Sequence, residues 1–250
     1  MKLTKIQITA SSNVGLVRHN NEDMVLVRNK YLRNESYKTE IDLETCDRFV
    51  AAVADGMGGY NAGEVASQEV LSSLHFFIGD LPTKLSSAHF METLVEWLSS
   101  ANVTLNTKGQ LSPETTNMGT TLVGIVSYEG KFFWFNCGDS RLYRLREGKL
   151  TQITTDHSLS NLLGEAKHSN VVTNCIGAGC TSSYLDIFEF TNNICHGDIY
   201  MLCSDGMSDM VDDPSIEQLL GIDCDASQLI QAALDAGGFD NVSVCVMKIV

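Results

Sequence analysis

Arg48-Phe49-Val50-Ala51-Ala52-Val53-Ala54-Asp55-Gly56-Met57-Gly58-Gly59 is an apolar run that stops on an acid and a group of glycines. Its aliphatic and aromatic content suits a strand, and Asp-Gly is a turn signal, so a strand is expected to end directly at Asp55. Aspartate is disfavoured within strands, and one such ending is an ordinary turn. The informative feature is that the ending recurs. Phe132 to Cys137 runs into Gly138-Asp139, and Tyr200 to Ser204 runs into Asp205-Gly206, with Asp209 shortly after. Asp240-Asn241 precedes the last strand instead, so an antiparallel partner would bring it to the same end of a sheet.

Working outward, strands are expected at Lys5–Ala10, Glu22–Val27, Thr120–Tyr128, Lys131–Cys137, Ser140–Arg146, Tyr184–Phe190, Asp198–Cys203 and Val242–Val250. Ala66, Val70, Leu74, Phe77 and Ile78 recur at helix spacing, as do Phe90, Leu94, Trp97, Leu98, Ala101 and Leu105. A third helix is expected over Ser227–Ala236, stopped by Gly237-Gly238. Residues Asp156–Gly179 are rich in Ser, Asn and Gly and read as an irregular surface segment. Strands in runs, interrupted by blocks of helix, argue for the α+β class: packed antiparallel sheets flanked by helices, in one domain over residues 1–250.

Composition narrows the function. The chain has 250 residues, of which 44% are hydrophobic and 19% charged, enough to build a core. Thirty-one acidic against 17 basic residues give a net charge of −14, which argues against nucleic acid as a partner. None of the eight cysteines forms a C-x-x-C pair, so a zinc ribbon is not expected. The N-terminus lacks the apolar core of a signal peptide, and no apolar stretch is long enough to span a bilayer. A cytoplasmic setting, no membrane partner and a monomer are the expectations.

Carboxylates gathered at one sheet edge repel one another unless cations neutralise them. Oxygen ligands without nearby His or Cys suit hard ions such as Mg²⁺ or Mn²⁺. Two ions about 3.5–4 Å apart could share one carboxylate and activate a bridging water for in-line attack on phosphorus. Upstream, Arg18-His19-Asn20-Asn21-Glu22-Asp23 places a guanidinium fork, suited to two phosphate oxygens, before an acidic pair that could orient metal-bound water. The glycines after Asp55 let the chain approach closely, so the Gly56 carbonyl could be a ligand. The loop lacks the lysine-containing pattern of a nucleotide-binding P-loop.

Arg18–Asp23 and Val53–Gly59, followed in order by Met118-Gly119-Thr120-Thr121-Leu122, Cys137-Gly138-Asp139-Ser140-Arg141, Thr155-Asp156-His157-Ser158, Cys203-Ser204-Asp205-Gly206 and Phe239-Asp240-Asn241-Val242-Ser243, resemble the PPM-type (type 2C) protein serine/threonine phosphatases in their bacterial form. The resemblance runs from about Ile6 to Val250. It implies a four-layer α-β-β-α sandwich with two central antiparallel β-sheets, and a site for two Mn²⁺ or Mg²⁺ ions at one end. It implies that Asp55 bridges both ions, that the Gly56 carbonyl binds one, and that Asp205 and Asp240 complete the ligands of the other. Arg18 would hold the substrate phosphate, with Glu22 and Asp23 contacting metal-bound water. Asp139, with Asp205, matches the position of a third, weaker ion; Asp209 lies nearby with no role assigned.

The implied activity is hydrolysis of phosphoserine and phosphothreonine monoesters in proteins, with a serine/threonine kinase and its substrates as partners. Two departures accompany it. Met57 stands where animal members carry a His proposed as general acid, as in bacterial members. The segment His157–Gly177 is shorter than the usual flap, and no Arg stands near its end, which reads Val172-Thr173-Asn174-Cys175-Ile176-Gly177. The rival readings are a catalytically silent phosphoprotein-binding module of the same fold and a two-metal hydrolase of nucleotides or small phosphoesters.

Overall fold

The computed structural model describes residues 5–58, 62–164 and 171–250. Gly59, at the end of the glycine run, and Glu165–Asn170, inside the short flap segment, lie outside the described residues. In chain order the strands are β1 (Lys5–Asn13), β2 (Met24–Val27), β3 (Lys30–Leu32), β4 (Ser36–Asp42), β5 (Arg48–Ala54), β6 (Gly56–Met57), β7 (Gly119–Thr120), β8 (Leu122–Tyr128), β9 (Lys131–Cys137), β10 (Arg141–Arg146), β11 (Lys149–Gln152), β12 (Ile176–Gly177), β13 (Asp186–Glu189), β14 (Ile199–Cys203) and β15 (Val242–Ile249). The helices are α1 (Ala62–Asp80), α2 (Ser87–Leu111), α3 (Leu159–Leu163), α4 (Asp205–Ser208), α5 (Asp213–Gly221) and α6 (Ala226–Asp235).

One six-stranded sheet has the order β11-β10-β14-β15-β1-β4, the other β13-β9-β8-β5-β2-β3, and β12-β7-β6 form a small third sheet. The pairings are antiparallel. Strand side chains alternate between faces, and that alternation separates three cores. On β5, Val50, Ala52 and Ala54 pack under α1 and α2, while Phe49, Ala51 and Val53 point into the space between the two large sheets. On β15, Cys245, Met247 and Ile249 join that central core, whereas Val242, Val244 and Val246 pack against α4, α5 and α6. The result is a four-layer α-β-β-α sandwich, in agreement with the expected class.

Both faces of the central strands are covered, which is why 48–54 reads as a continuous apolar run rather than an alternating one. The long helices form as their periodicity predicts, and Ser86 caps α2 by accepting from the His89 N–H. The sequence reading does not include β3, β4, β11 or α5. β4 is a half-exposed edge strand, and the short α5 is marked by the Asp212 cap and Pro214 in its first turn more than by apolar content. The stretch expected as one strand over Thr120–Tyr128 divides at Thr121, whose side chain is used elsewhere. Within 156–179, α3, β12 and a Ser158–Val172 bridge give more order than the composition suggests. No helix among the described residues is long and apolar enough to cross a membrane.

Candidate metal centre

The register brings the acids to one end of the sandwich. Cys203, before Ser204-Asp205, pairs with Val244, and Val242, after Asp240-Asn241, pairs with Asn13. In the facing sheet Ala54, before Asp55, pairs with Met24, directly after Asp23, and Cys137, before Gly138-Asp139, pairs with Leu122. Three strand endings (Asp55, Asp139 and Asp205) and two strand starts (Asp23 and Asp240) therefore present their acids together.

Asp55 is held through its backbone. Its carbonyl accepts from the Thr121 N–H at 2.9 Å and from Thr120 Oγ1 at 2.9 Å, and its own N–H donates to Thr121 Oγ1 at 3.1 Å. This leaves the carboxylate uninvolved in setting the turn. At Gly56 a Cβ would stand 2.1 Å from the Gly63 carbonyl oxygen and 2.6 Å from that of Glu22, so only glycine lets β6 touch the start of α1. The two loops of the other sheet make the same kind of contact: a Cβ on Gly206 would lie 2.0 Å from the Asn241 carbonyl oxygen. Asp209 donates its N–H to the Asp205 carbonyl at 2.8 Å, closing the single turn of α4.

The loop that carries Arg18 is fastened by Asn241. Its Oδ1 accepts from the Glu22 N–H at 2.8 Å, and its Nδ2 donates to the carbonyls of Val14 and Asn20, both at 2.9 Å. Arg18 is exposed and its Nη2 lies 2.7 Å from Asp240 Oδ2. Glu22 is half-buried and its carboxylate accepts from the Gly63 N–H in the first turn of α1. Asp23 is buried, and Ser204 Oγ donates to its Oδ2 at 2.7 Å. Arg33 ties this loop to α1: Nε donates to the Asp23 carbonyl at 3.0 Å, and Nη2 donates to the Glu64 carbonyl and to Ser67 Oγ, both at 2.9 Å. Ser67 Oγ in turn donates to the Glu22 carbonyl at 2.6 Å.

Crowding of these acids shows in their proton affinities. Burial raises the Asp55 carboxyl well above the usual range, and Asp23, Asp205 and Asp139 add to the effect. Burial, with Asp205 nearby, pushes Asp23 and Asp139 each to about 7. Burial, with Asp240 and Asp209, lifts Asp205 to about 6. Glu22 is raised by burial, while Arg18 is held more firmly protonated by its bond to Asp240. The structure thus brings Arg18, Glu22, Asp23, Asp55, Asp139, Asp205 and Asp240 into one electrostatic neighbourhood.

Among the described residues no three His, Cys, Asp or Glu side chains already stand as a finished metal cage. The fit to a cation rests on Asp205 and on the donor set. Asp205 Oδ1 is buried with no hydrogen-bond partner. Its carboxyl also lies within hydrogen-bonding reach of that of Asp55, an arrangement two bare carboxylates do not tolerate. A proton or a cation must lie between such groups, and oxygen donors alone favour a hard divalent ion. The residues fit.

Thr121, Ser204, Asn241 and Arg33 position the site but carry no role in the sequence reading. The first three lie inside the recognised motifs, Ser204 and Asn241 directly beside an acid and Thr121 in a motif that holds none. Arg33 lies in none and gives no signal.

Residues 38–228 match the family described as Protein phosphatase 2C, and the chain belongs to that family. Serine/threonine protein phosphatase PstP of Mycobacterium tuberculosis is 35% identical over 98% of this chain and 45% of its own length. The chain therefore spans less than half of that relative. The serine/threonine phosphatase stp of Listeria monocytogenes is 27% identical over 94% of this chain and 92% of its own. A crystal structure of the PstP catalytic domain in complex with two manganese ions superposes with a TM-score of 0.75 at 33% identity, covering 99% of this chain and 100% of that one.

Proposed function

We propose that this protein is a metal-dependent protein serine/threonine phosphatase that hydrolyses phosphoserine and phosphothreonine monoesters. The observation that carries this reading is the meeting of Asp55, Asp205 and Asp240 with Arg18 at one end of the sheets. Asp55, the Gly56 carbonyl, Asp205 and Asp240 would hold two divalent ions, Mn²⁺ or Mg²⁺, and Asp139 would contribute to a third. Bound there, such ions supply Lewis-acid polarisation of the phosphoryl oxygens and lower the pKa of water.

The chain's own residues do the remaining work. The exposed guanidinium of Arg18 offers a fork of N–H donors to a phosphate arriving from solvent. Asp240 orients that guanidinium, and Asn241 fixes the loop that bears it. Asp23, buried beside Ser204, and Glu22, capping α1, place acceptors at the rim of the acid cluster. Met57 follows Gly56 and cannot donate a proton, so it does not protonate the leaving group. We read residues 1–250 as one domain of this family, with phosphorylated proteins, including a serine/threonine kinase and its targets, as substrates.

The test is phosphate release from a phosphothreonine peptide with added Mn²⁺ or Mg²⁺. Activity should vanish with chelator and fall at least 100-fold in Asp55→Asn and Asp205→Asn, a loss of about 3 kcal/mol or more. Full turnover in either variant would overturn the metal assignment, and faster turnover of nucleotides than of the peptide would overturn the substrate class.

A further inference from the structure

His157 is buried, and no step above uses it. Its backbone N–H donates to the Gly138 carbonyl at 3.0 Å, and its carbonyl accepts from the Thr173 N–H at 2.7 Å. Its ring Nδ1 accepts from the Gly138 N–H at 3.0 Å. A main-chain amide can only donate, so Nδ1 carries no proton and the ring proton sits on Nε2. Nε2 then donates to Asp186 Oδ2 at 3.1 Å. Asn174 shares Nδ1, donating from 2.8 Å, and its own amide is oriented by donating to the Tyr184 carbonyl at 2.9 Å and accepting the Tyr184 N–H at 3.1 Å.

These bonds converge on the turn that carries Asp139. Gly138 has φ +127°, and a Cβ there would stand 2.6 Å from the Thr121 Cβ. One side of the turn therefore rests on Thr121, the residue that also holds the Asp55 backbone. The other side is gripped by His157, whose Nδ1 accepts from the Gly138 N–H and whose backbone N–H donates to the Gly138 carbonyl, a carbonyl that also accepts from Asn136 Nδ2 at 3.1 Å. Through Asn174 and Asp186 the same imidazole, and through Thr173 the His157 carbonyl, is bound to residues 173–186.

We propose that His157 is a positioning residue for Asp139: its unprotonated Nδ1 sets the Gly138-Asp139 turn and so tunes how Asp139 binds a divalent ion. The proposal rests on the reading of Asp139 as a ligand. Side chains that orient a metal ligand change affinity by about 10–100-fold when removed.

The experiment is calorimetric Mn²⁺ titration of the chelator-stripped full chain, with thermal melts to confirm folding. His157→Asn keeps an acceptor oxygen near the place of Nδ1, whereas His157→Gln keeps a donor towards Asp186 and presents no acceptor to Gly138. Asp139→Ala and His157→Gln should each weaken the weakest Mn²⁺ step at least tenfold, and the double variant should bind no worse than Asp139→Ala alone. His157→Asn should stay within about threefold of the parent, a small part of the tenfold range expected for a lost orienting contact. Parent-like binding in His157→Gln, equal loss in both His157 variants, or additive losses in the double variant overturns the proposal while leaving Asp139 a ligand. Parent-like binding in Asp139→Ala overturns both the ligand assignment and the role of His157.

Discussion

Arg18 Nη2 sits 2.7 Å from Asp240 Oδ2, joining loops 222 residues apart in the chain. Both side chains are partly in water, at 56% and 37% exposure, so the pair adds little to folding. Its value lies in aiming the guanidinium. Arg18→Ala should therefore change stability by less than about 1 kcal/mol, or about 4 °C in Tm. It should lower kcat/KM for a phosphothreonine peptide about 10–100-fold, the worth of charge-assisted bonds to phosphate. Arg18→Lys should recover only part of that loss, because an ammonium lacks the fork. A large drop in Tm with unchanged kcat/KM would reverse the assignment.

Asn241 is the opposite case. It is 6% exposed and satisfies the Val14 and Asn20 carbonyls and the Glu22 N–H. Asn241→Ala leaves those groups without a partner, at a cost of about 2–4 kcal/mol measured by urea unfolding. Asn241→Asp should be no better, since it turns an acceptor towards two carbonyls that need a donor. A loss under 0.5 kcal/mol, the ordinary surface value, would show that the loop does not depend on this residue.

The strand boundaries were legible because a Gly/Asp turn beside an apolar run is a local signal: Asp55 and Asp205 open Asp-Gly after a strand, Asp139 follows one through Gly138, and Asp240 stands just before one. Their assembly was not legible from any one of them. It depends on registers such as Cys203 opposite Val244 and Val242 opposite Asn13, pairings that join segments distant in the chain, the second linking its two ends. The two-faced burial of β5 also hid its alternation, since the residues towards α1 and those towards the central core are equally apolar. β4 and β11 escaped because edge strands with exposed polar faces have weak hydrophobic patterning. Arg33 escaped because its contacts, to the Asp23 and Glu64 carbonyls, Ser67 and the Glu64 carboxylate, are to residues 10 to 34 positions away and leave no local pattern in sequence.

Close backbone approach gives a third prediction. At Gly206 an added methyl would lie 2.0 Å from the Asn241 carbonyl oxygen, and backbone on both sides leaves nothing flexible to yield. Gly206→Ala should destabilise the protein by about 1–3 kcal/mol or more through overpacking, and separate Asp205 from Asp240. The expected signature is a lower urea midpoint together with weaker Mn²⁺ binding. Gly221, whose Cβ meets nothing within 4 Å, is the control: Gly221→Ala should be neutral or slightly stabilising. Parent-like Mn²⁺ affinity in Gly206→Ala would mean that the two loops are not held by this contact.

The raised carboxyls fix the sign of a pH effect. Asp23 and Asp139 at about 7 and Asp205 at about 6 all lie above the value of about 3.9 for an unfolded aspartate. Between those limits the folded state binds more protons than the unfolded one. Their contribution to stability is therefore full below about pH 4 and is lost as pH rises through about 6–7. With chelator present, the urea midpoint should fall from pH 5 to pH 7.5, all else held constant. Mn²⁺ binds the deprotonated acids of the native state, so added ion should flatten or reverse that fall and release protons on binding. Asp23→Asn removes one such acid while keeping an acceptor for Ser204, and should make the chelated protein's profile shallower. A midpoint that rises with pH across this window in the chelated protein would show that the acids are not forced together as the structure has them.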